Sequence, residues 1–261
     1  MNVIDFLKNS VNKYPQKTAL IFENTSLTFD ELWKSVKLFS ESTLSLNSKN
    51  VISLMAENSI SFIISYLGIM NSGKIVHLIP PEISENNMLS QIYSSNSSCI
   101  ICSDLVFDRI SKYNSIKIPI FQFKNIPQNI NNIHNDVKIN EIAYLIYTSG
   151  TTSVPKGVGI THLMIDFTTK NIIDVLKYSN FDIDVLPLPL HHSFGLGCLH
   201  TSLYVGSTLI LLKNSSNLQN ILDVIKKYDA TTFAAVPATL SKFSKFNENN
   251  LKDYFSNIRL V

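Results

Sequence analysis

The chain is 261 residues long, 45% hydrophobic and 16% charged, with 22 basic against 20 acidic residues and a net charge of +2. A chain of this size and apolar content buries a substantial core, so disorder is excluded as its default state. The basic residues are almost all lysines without a cluster, Arg109 and Arg259 being the two arginines. That excludes the basic stripe expected of a nucleic-acid binder.

Taken in order, the N-terminus carries Asp5 and no apolar h-region, so no secretory signal is read and a soluble cytoplasmic protein is expected. Strands are predicted at Thr18–Phe22, Asn50–Ala56, Lys74–Leu78, Ser98–Cys102, Ile118–Phe123, Glu141–Tyr147, Asp184–Pro187, Ser207–Leu212 and Thr231–Ala235, with helices filling most gaps. This alternation predicts an α/β protein with a largely parallel sheet. Thr28-Phe-Asp-Glu31 is a capping box, and the helix it opens sets Phe29, Leu32, Trp33, Val36 and Phe39 on one core-facing stripe. The longest apolar stretch, Ile60 to Met70, is broken by Ser61 and Ser65 and falls short of the ~18 residues of a membrane span.

Cys99 and Cys102 have redox or zinc spacing but lie within an apolar run and lack a second ligand pair. With Cys198 they make an odd number, so core packing is expected. The asparagine-rich Lys124–Asn140 reads as an exposed connection. It separates a first α/β block, 1–140, from a second, 141–261.

The second block opens with the most informative segment, Tyr147-Thr-Ser-Gly-Thr-Thr-Ser-Val-Pro-Lys-Gly-Val158. A strand ends abruptly in Thr148, Ser149, Gly150, Thr151, Thr152 and Ser153, which offer closely spaced amides and hydroxyls without bulk. Such a run can cradle a polyphosphate, and Lys156 adds a mobile point charge whose approach Pro155 stiffens. A Ser/Thr-rich surface turn has the same composition. Neither a Walker A loop nor G-x-G-x-x-G fits: Lys156 precedes Gly157, and Gly195 and Gly197 lack a third glycine.

The ordered segment resembles the phosphate-binding signature of the adenylate-forming superfamily, which includes acyl-CoA synthetases, nonribosomal peptide adenylation domains and luciferases. It departs at Ser153, where glycine is usual; a positive φ there would cost serine about 1 kcal/mol. The resemblance extends to Thr161-His162, Leu188-Pro-Leu-His-His-Ser-Phe-Gly-Leu196, Gly206–Leu212, Val236-Pro-Ala-Thr-Leu240 and, upstream, Thr18–Phe22 with Leu27–Leu32, and Gly68–Gly73.

It implies the N-terminal large-domain portion of the adenylate-forming fold, with mostly parallel sheets flanked by helices, incomplete at the C-terminus. It implies that Thr148, Ser149, Gly150, Thr151, Thr152, Ser153 and Lys156 hold the β- and γ-phosphates of ATP, with Lys156 and His192 as the catalytic pair. His192 would lie beside the acyl carboxylate and α-phosphate, and Phe194 and Gly195 would shape the acid pocket. His191 is expected to pack. His77 and His134 receive no role.

The implied reaction joins a carboxylic acid to ATP with Mg2+, giving an acyl-adenylate that passes to coenzyme A or to the phosphopantetheine of a carrier protein. The chain stops at Arg259-Leu-Val261 inside what reads as a strand, before the adenine, ribose and C-terminal lysine segments of the family. A partial enzyme is therefore expected, either a truncated product or half of a split ligase, which self-associates or meets a complementing chain. Two other readings stay open. One is a non-catalytic nucleotide- or acyl-binding module. The other is a phosphotransferase using the pair Asp182 and Asp184, although a solvated turn is the expected state of those two.

Overall fold

The computed structural model describes residues 1–46, 50–126, 138–148, 156–243 and 248–261. Helix α1 (Val3–Lys13) precedes a hairpin of β1 (Thr18–Phe22) and β2 (Thr25–Thr28). Helix α2 (Phe29–Ser45) starts on the predicted capping box. The Glu31 amide donates to the Thr28 hydroxyl at 3.2 Å, and the Thr28 amide donates to the Glu31 carboxylate at 2.8 Å. Of the predicted stripe, Phe29, Leu32 and Val36 are fully buried, while Trp33 and Phe39 are half-buried.

Regular α/β alternation follows: β3 (Val51–Met55), α3 (Ile60–Asn71), β4 (Ile75–Leu78), α4 (Glu85–Ser94), β5 (Ile100–Cys102), α5 (Asp104–Ile110) and β6 (Ile120–Gln122). The Ser59 and Ser103 hydroxyls accept from the Phe62 and Val106 amides and so fix the starts of α3 and α5. Next come β7 (Ile142–Thr148), β8 (Lys156–Thr161), α6 (His162–Leu176), β9 (Ile183–Leu186), α7 (Ser193–Val205), β10 (Thr208–Leu211), α8 (Leu218–Lys227), β11 (Thr232–Phe233), α9 (Pro237–Phe243) and α10 (Glu248–Tyr254).

The described chain divides into two compact units, Met1–Ile4 with Trp33–Asp166 and Asp5–Leu32 with Phe167–Val261. The first holds a six-stranded sheet in the order β6-β5-β3-β4-β7-β8, parallel except for the β7–β8 hairpin. Because β7 pairs with β4, this sheet takes strands from both sides of residue 140, so the compact units and the 1–140 and 141–261 blocks cut the chain differently. The second unit holds a five-stranded sheet, β11-β9-β10-β1-β2, parallel except for the β1–β2 hairpin. Leu260 adds a parallel bridge to Thr232.

Short, mostly apolar stretches mark the strands: β1 matches its prediction in full, and seven others of the nine match with each end within two residues. Thr231–Ala235 shrinks to Thr232–Phe233. Two strands were not predicted. β2 is short and polar, and β8 begins Lys156-Gly157 and reads as loop; both pair only as the second arm of a hairpin. Gly206 ends α7 at φ 78°, with the Tyr14 ring 2.6 Å from where a Cβ would sit, so both backbone and space demand glycine.

Cys102 ends β5 directly before the α5 cap, a strand-to-helix junction rather than the middle of a run. Burial nonetheless pushes the Cys99 and Cys102 thiols up to about 11 and about 12. Thiolate is the reactive form, so both are expected to resist a thiol reagent in the folded chain and react on unfolding. Rapid labelling of either in native buffer contradicts this. No helix among the described residues is long and apolar enough to cross a membrane.

Candidate functional site

In the first unit, β7 and β8 pair antiparallel with Tyr147 opposite Gly157 and Thr148 opposite Lys156. This ladder sets the ends of the hydroxyl-rich run against each other. Thr148 and Lys156 are exposed. Ser149, Gly150, Thr151, Thr152 and Ser153, together with Pro155, lie outside the described residues. What is described of the expected phosphate loop is therefore its base: one hydroxyl and one ammonium group paired across the hairpin.

In the second unit, β9 runs through Pro187 and Pro189 into α7, and His192 occupies the N-cap with φ −109° and ψ 149°. Its amide donates to the Pro189 carbonyl at 3.2 Å and its carbonyl accepts from Leu196 at 3.1 Å. Its side chain makes no cap hydrogen bond and is exposed, as is Phe194. The free amides at the start of this 13-residue helix favour negative charge there.

Gly195 is buried. A Cβ on it would lie 2.3 Å from the Pro189 carbonyl oxygen, so the helix start packs directly on the preceding turn. A Cβ on Gly197 meets nothing within 4 Å. The His191 ring lies against that of His192, with centroids 4.4 Å apart and planes inclined by 52°; burial, then the neighbouring histidine, pulls it down to about 4, which suits a packing role. His200 is buried and His192 is not, so the two do not share an exposed face.

The expectation of a solvated turn at Asp182 and Asp184 is overturned, because both are buried at the head of β9. Arg259 grips Asp182 with Nε at 2.9 Å and Nη2 at 2.7 Å, and the Ser179 amide and Thr231 hydroxyl each donate at 2.8 Å. Burial pushes the Asp182 carboxyl up, but these donors and the Arg259 charge more than offset it and hold it below the usual range. Asp184 accepts from the Thr232 hydroxyl at 2.9 Å on one oxygen and lacks a hydrogen-bond partner on the other. These are structural carboxylates, and among the described residues no cluster of three or more His, Cys, Asp or Glu side chains could hold a metal ion.

The "AMP-binding enzyme" family model matches residues 7–261, and the chain belongs to that family, as the signature at Tyr147–Val158 implied. It is 27% identical over 266 residues to peroxisomal OPC-8:0-CoA ligase 1 of Arabidopsis thaliana, a match covering 92% of this chain and 47% of the relative. It is also 23% identical over 239 residues to gramicidin S synthase 2 of Brevibacillus brevis, covering 90% of this chain and 5% of that one. Among solved structures, o-succinylbenzoate coenzyme A synthetase from Bacillus subtilis, in complex with ATP and a magnesium ion, superposes with a TM-score of 0.82. That match has 22% identity and covers 93% of this chain and 66% of that chain. The fold is thus that of the adenylate-forming enzymes, and the chain spans about half the length of the plant ligase it matches.

Proposed function

We propose that this chain forms the triphosphate-handling part of an enzyme that activates a carboxylic acid with ATP. The carrying observation is the hairpin: β7 ends at Thr148, β8 begins at Lys156 in register with it, and the sequence between them is Ser, Thr and Gly in the family's order. In this reading Thr148, Ser149, Gly150, Thr151, Thr152, Ser153 and Lys156 hold the β- and γ-phosphates. His192 donates to an oxygen of the carboxylate or α-phosphate, helped by the start of α7, and Phe194 lines the acid site with Gly195 beneath it.

A carboxylate oxygen forms its bond to the α-phosphorus as the bond to the β-phosphate oxygen breaks, and pyrophosphate leaves with that electron pair. The protein aligns two anions and neutralises charge at the point of displacement. When bound, Mg2+ would supply charge neutralisation at the nucleotide's phosphates. The thiol sulfur, of coenzyme A or a carrier-protein phosphopantetheine, then bonds to the acyl carbon and gives up its proton as the acyl carbon–phosphate oxygen bond breaks and AMP leaves with that electron pair. Relatives named as a CoA ligase and as a gramicidin S synthase support keeping both acceptors.

The test is ATP–pyrophosphate exchange across fatty, aromatic and amino acids, with this chain alone and joined by a complementing second half. Losing a contact to a charged group costs roughly 1.5–3 kcal/mol. Lys156→Ala is therefore expected to weaken ATP binding about tenfold or more, while the acid's KM holds. Unchanged ATP affinity in Lys156→Ala overturns the reading.

A further inference from the structure

We infer that Tyr147 is a positioning residue for the base of the phosphate hairpin, clamped between His77, Ser94 and Gly157. The inference rests on the reading just proposed, and all four residues lie in the first unit. The Tyr147 hydroxyl and the Ser94 hydroxyl are 2.7 Å apart at the end of α4. On the other strand of the hairpin, Gly157 stands opposite Tyr147, and a Cβ there would come within 2.9 Å of the ring's Cζ and 3.1 Å of its oxygen. The ring therefore crosses Gly157 in a space that only the absence of a side chain leaves open. On its remaining side the His77 ring lies 5.1 Å away, inclined by 57°.

His77 is itself fixed. It is fully buried on β4, and three serine hydroxyls converge on its Nδ1: Ser53 at 2.9 Å, Ser95 at 3.2 Å and Ser97 at 3.3 Å. Burial keeps the ring neutral by pulling it down to about 4. Each hydroxyl can give or accept a proton at Nδ1, while Nε2 is buried on the other side of the ring. An imidazole set this way by groups from β3 and from the turn after α4 is a rigid wall for Tyr147.

The consequence falls on the next pair of the ladder. Thr148 follows Tyr147 and Lys156 precedes Gly157, so fixing one pair fixes the backbone separation from which the Thr148 and Lys156 side chains of the proposed reaction start. Tyr147 and Gly157 act through Thr148 and Lys156 and need touch no substrate.

The test is a double-mutant cycle in the completed enzyme, reading the ATP dissociation constant by calorimetry and the KM values of ATP and acid by pyrophosphate exchange. Gly157→Ala, which pushes the ring aside, is expected to raise ATP Kd and KM about tenfold and leave the acid's KM unmoved. Tyr147→Ala is expected to do the same, and Tyr147→Phe, which keeps the ring, to stay within about threefold. In the Tyr147→Ala background Gly157→Ala should add nothing, because the ring it displaces is gone. Additive effects, or a Gly157→Ala enzyme with unchanged ATP affinity, overturn the inference. Lys156→Ala in the same assay separates the layers: if it weakens ATP and Gly157→Ala does not, this inference falls alone, and if it leaves ATP affinity unmoved, the triphosphate reading falls with it.

Discussion

Replacing Gly195 with alanine is expected to destabilise the second unit by about 3 kcal/mol and to remove acid activation in the completed enzyme. The new methyl carbon would sit 2.3 Å from the Pro189 carbonyl oxygen, 2.9 Å from the Pro189 carbonyl carbon and 3.3 Å from the Leu188 oxygen, all backbone atoms. A flexible side chain would turn away, but this obstacle is a turn whose φ is locked by a proline ring. Relief requires α7 to lift from the turn, which strains the 3.2 Å bond from the His192 amide to that same carbonyl. His192 and the helix-start amides then move together. Gly197 is the control: nothing lies within 4 Å of a Cβ there, so Gly197→Ala is expected to be neutral or to stabilise by about 0.5–1 kcal/mol through helix propensity. Urea unfolding of both variants decides it, and equal midpoints would refute the packing argument.

Local features were the ones legible in the sequence. The capping box at Thr28 and Glu31 depends on residues three apart, and its two hydrogen bonds are present as read. Strands such as β3 and β10 declare themselves because they are buried along nearly their whole length and are mostly apolar, with Ser53 and Thr208 as the polar exceptions. The run Thr148–Ser153 and Lys156 were legible as a phosphate-loop pattern from residue types in order, and the ladder adds that Thr148 and Lys156 face one another.

What escaped notice depends on residues far apart in the chain. Asp182 and Asp184 beside Pro187 read as a solvated turn because their partners, Thr231, Thr232 and Arg259, lie 48–77 positions away. His77 carried no signal either, since its surroundings come from Ser53, Ser95, Ser97 and Tyr147, and only the sheet order brings these together. β8 was hidden because Lys156-Gly157-Val158-Gly159 has poor strand propensity and is held by its pairing with β7.

Asp184 is expected to make the protein less stable as the pH rises from about 4 to about 6, the reverse of an ordinary acid-labile carboxylate. Burial pushes this carboxyl up to about 6, the Thr232 hydroxyl bond offsets part of the rise, and the neighbouring Asp182 charge adds to it. Between the unfolded value of 3.8 and about 6, the folded chain holds a proton that the unfolded chain has released. Stability from this group is therefore complete below 3.8 and lost as the pH rises through 6, a change of about 3 kcal/mol.

Other groups titrate in the opposite sense. Asp182, held below its usual value, contributes stability that is lost as the pH falls, and His77 and His191, both pulled down to about 4 by burial, disfavour the folded state as acid protonates the unfolded chain. The quantity to measure is thus the difference between wild type and Asp184→Asn, in which the distant His77 and His191 cancel and Asp182, the smallest cause of the Asp184 shift, leaves only a residual. The asparagine keeps an oxygen for Thr232 and carries no charge at any pH. Denaturant unfolding at about pH 4 and about pH 7.5 should show the variant gaining about 2.5 kcal/mol relative to wild type at the higher pH. A difference that does not change with pH would mean that Asp184 stays ionised in the folded chain, with its second oxygen solvated or paired.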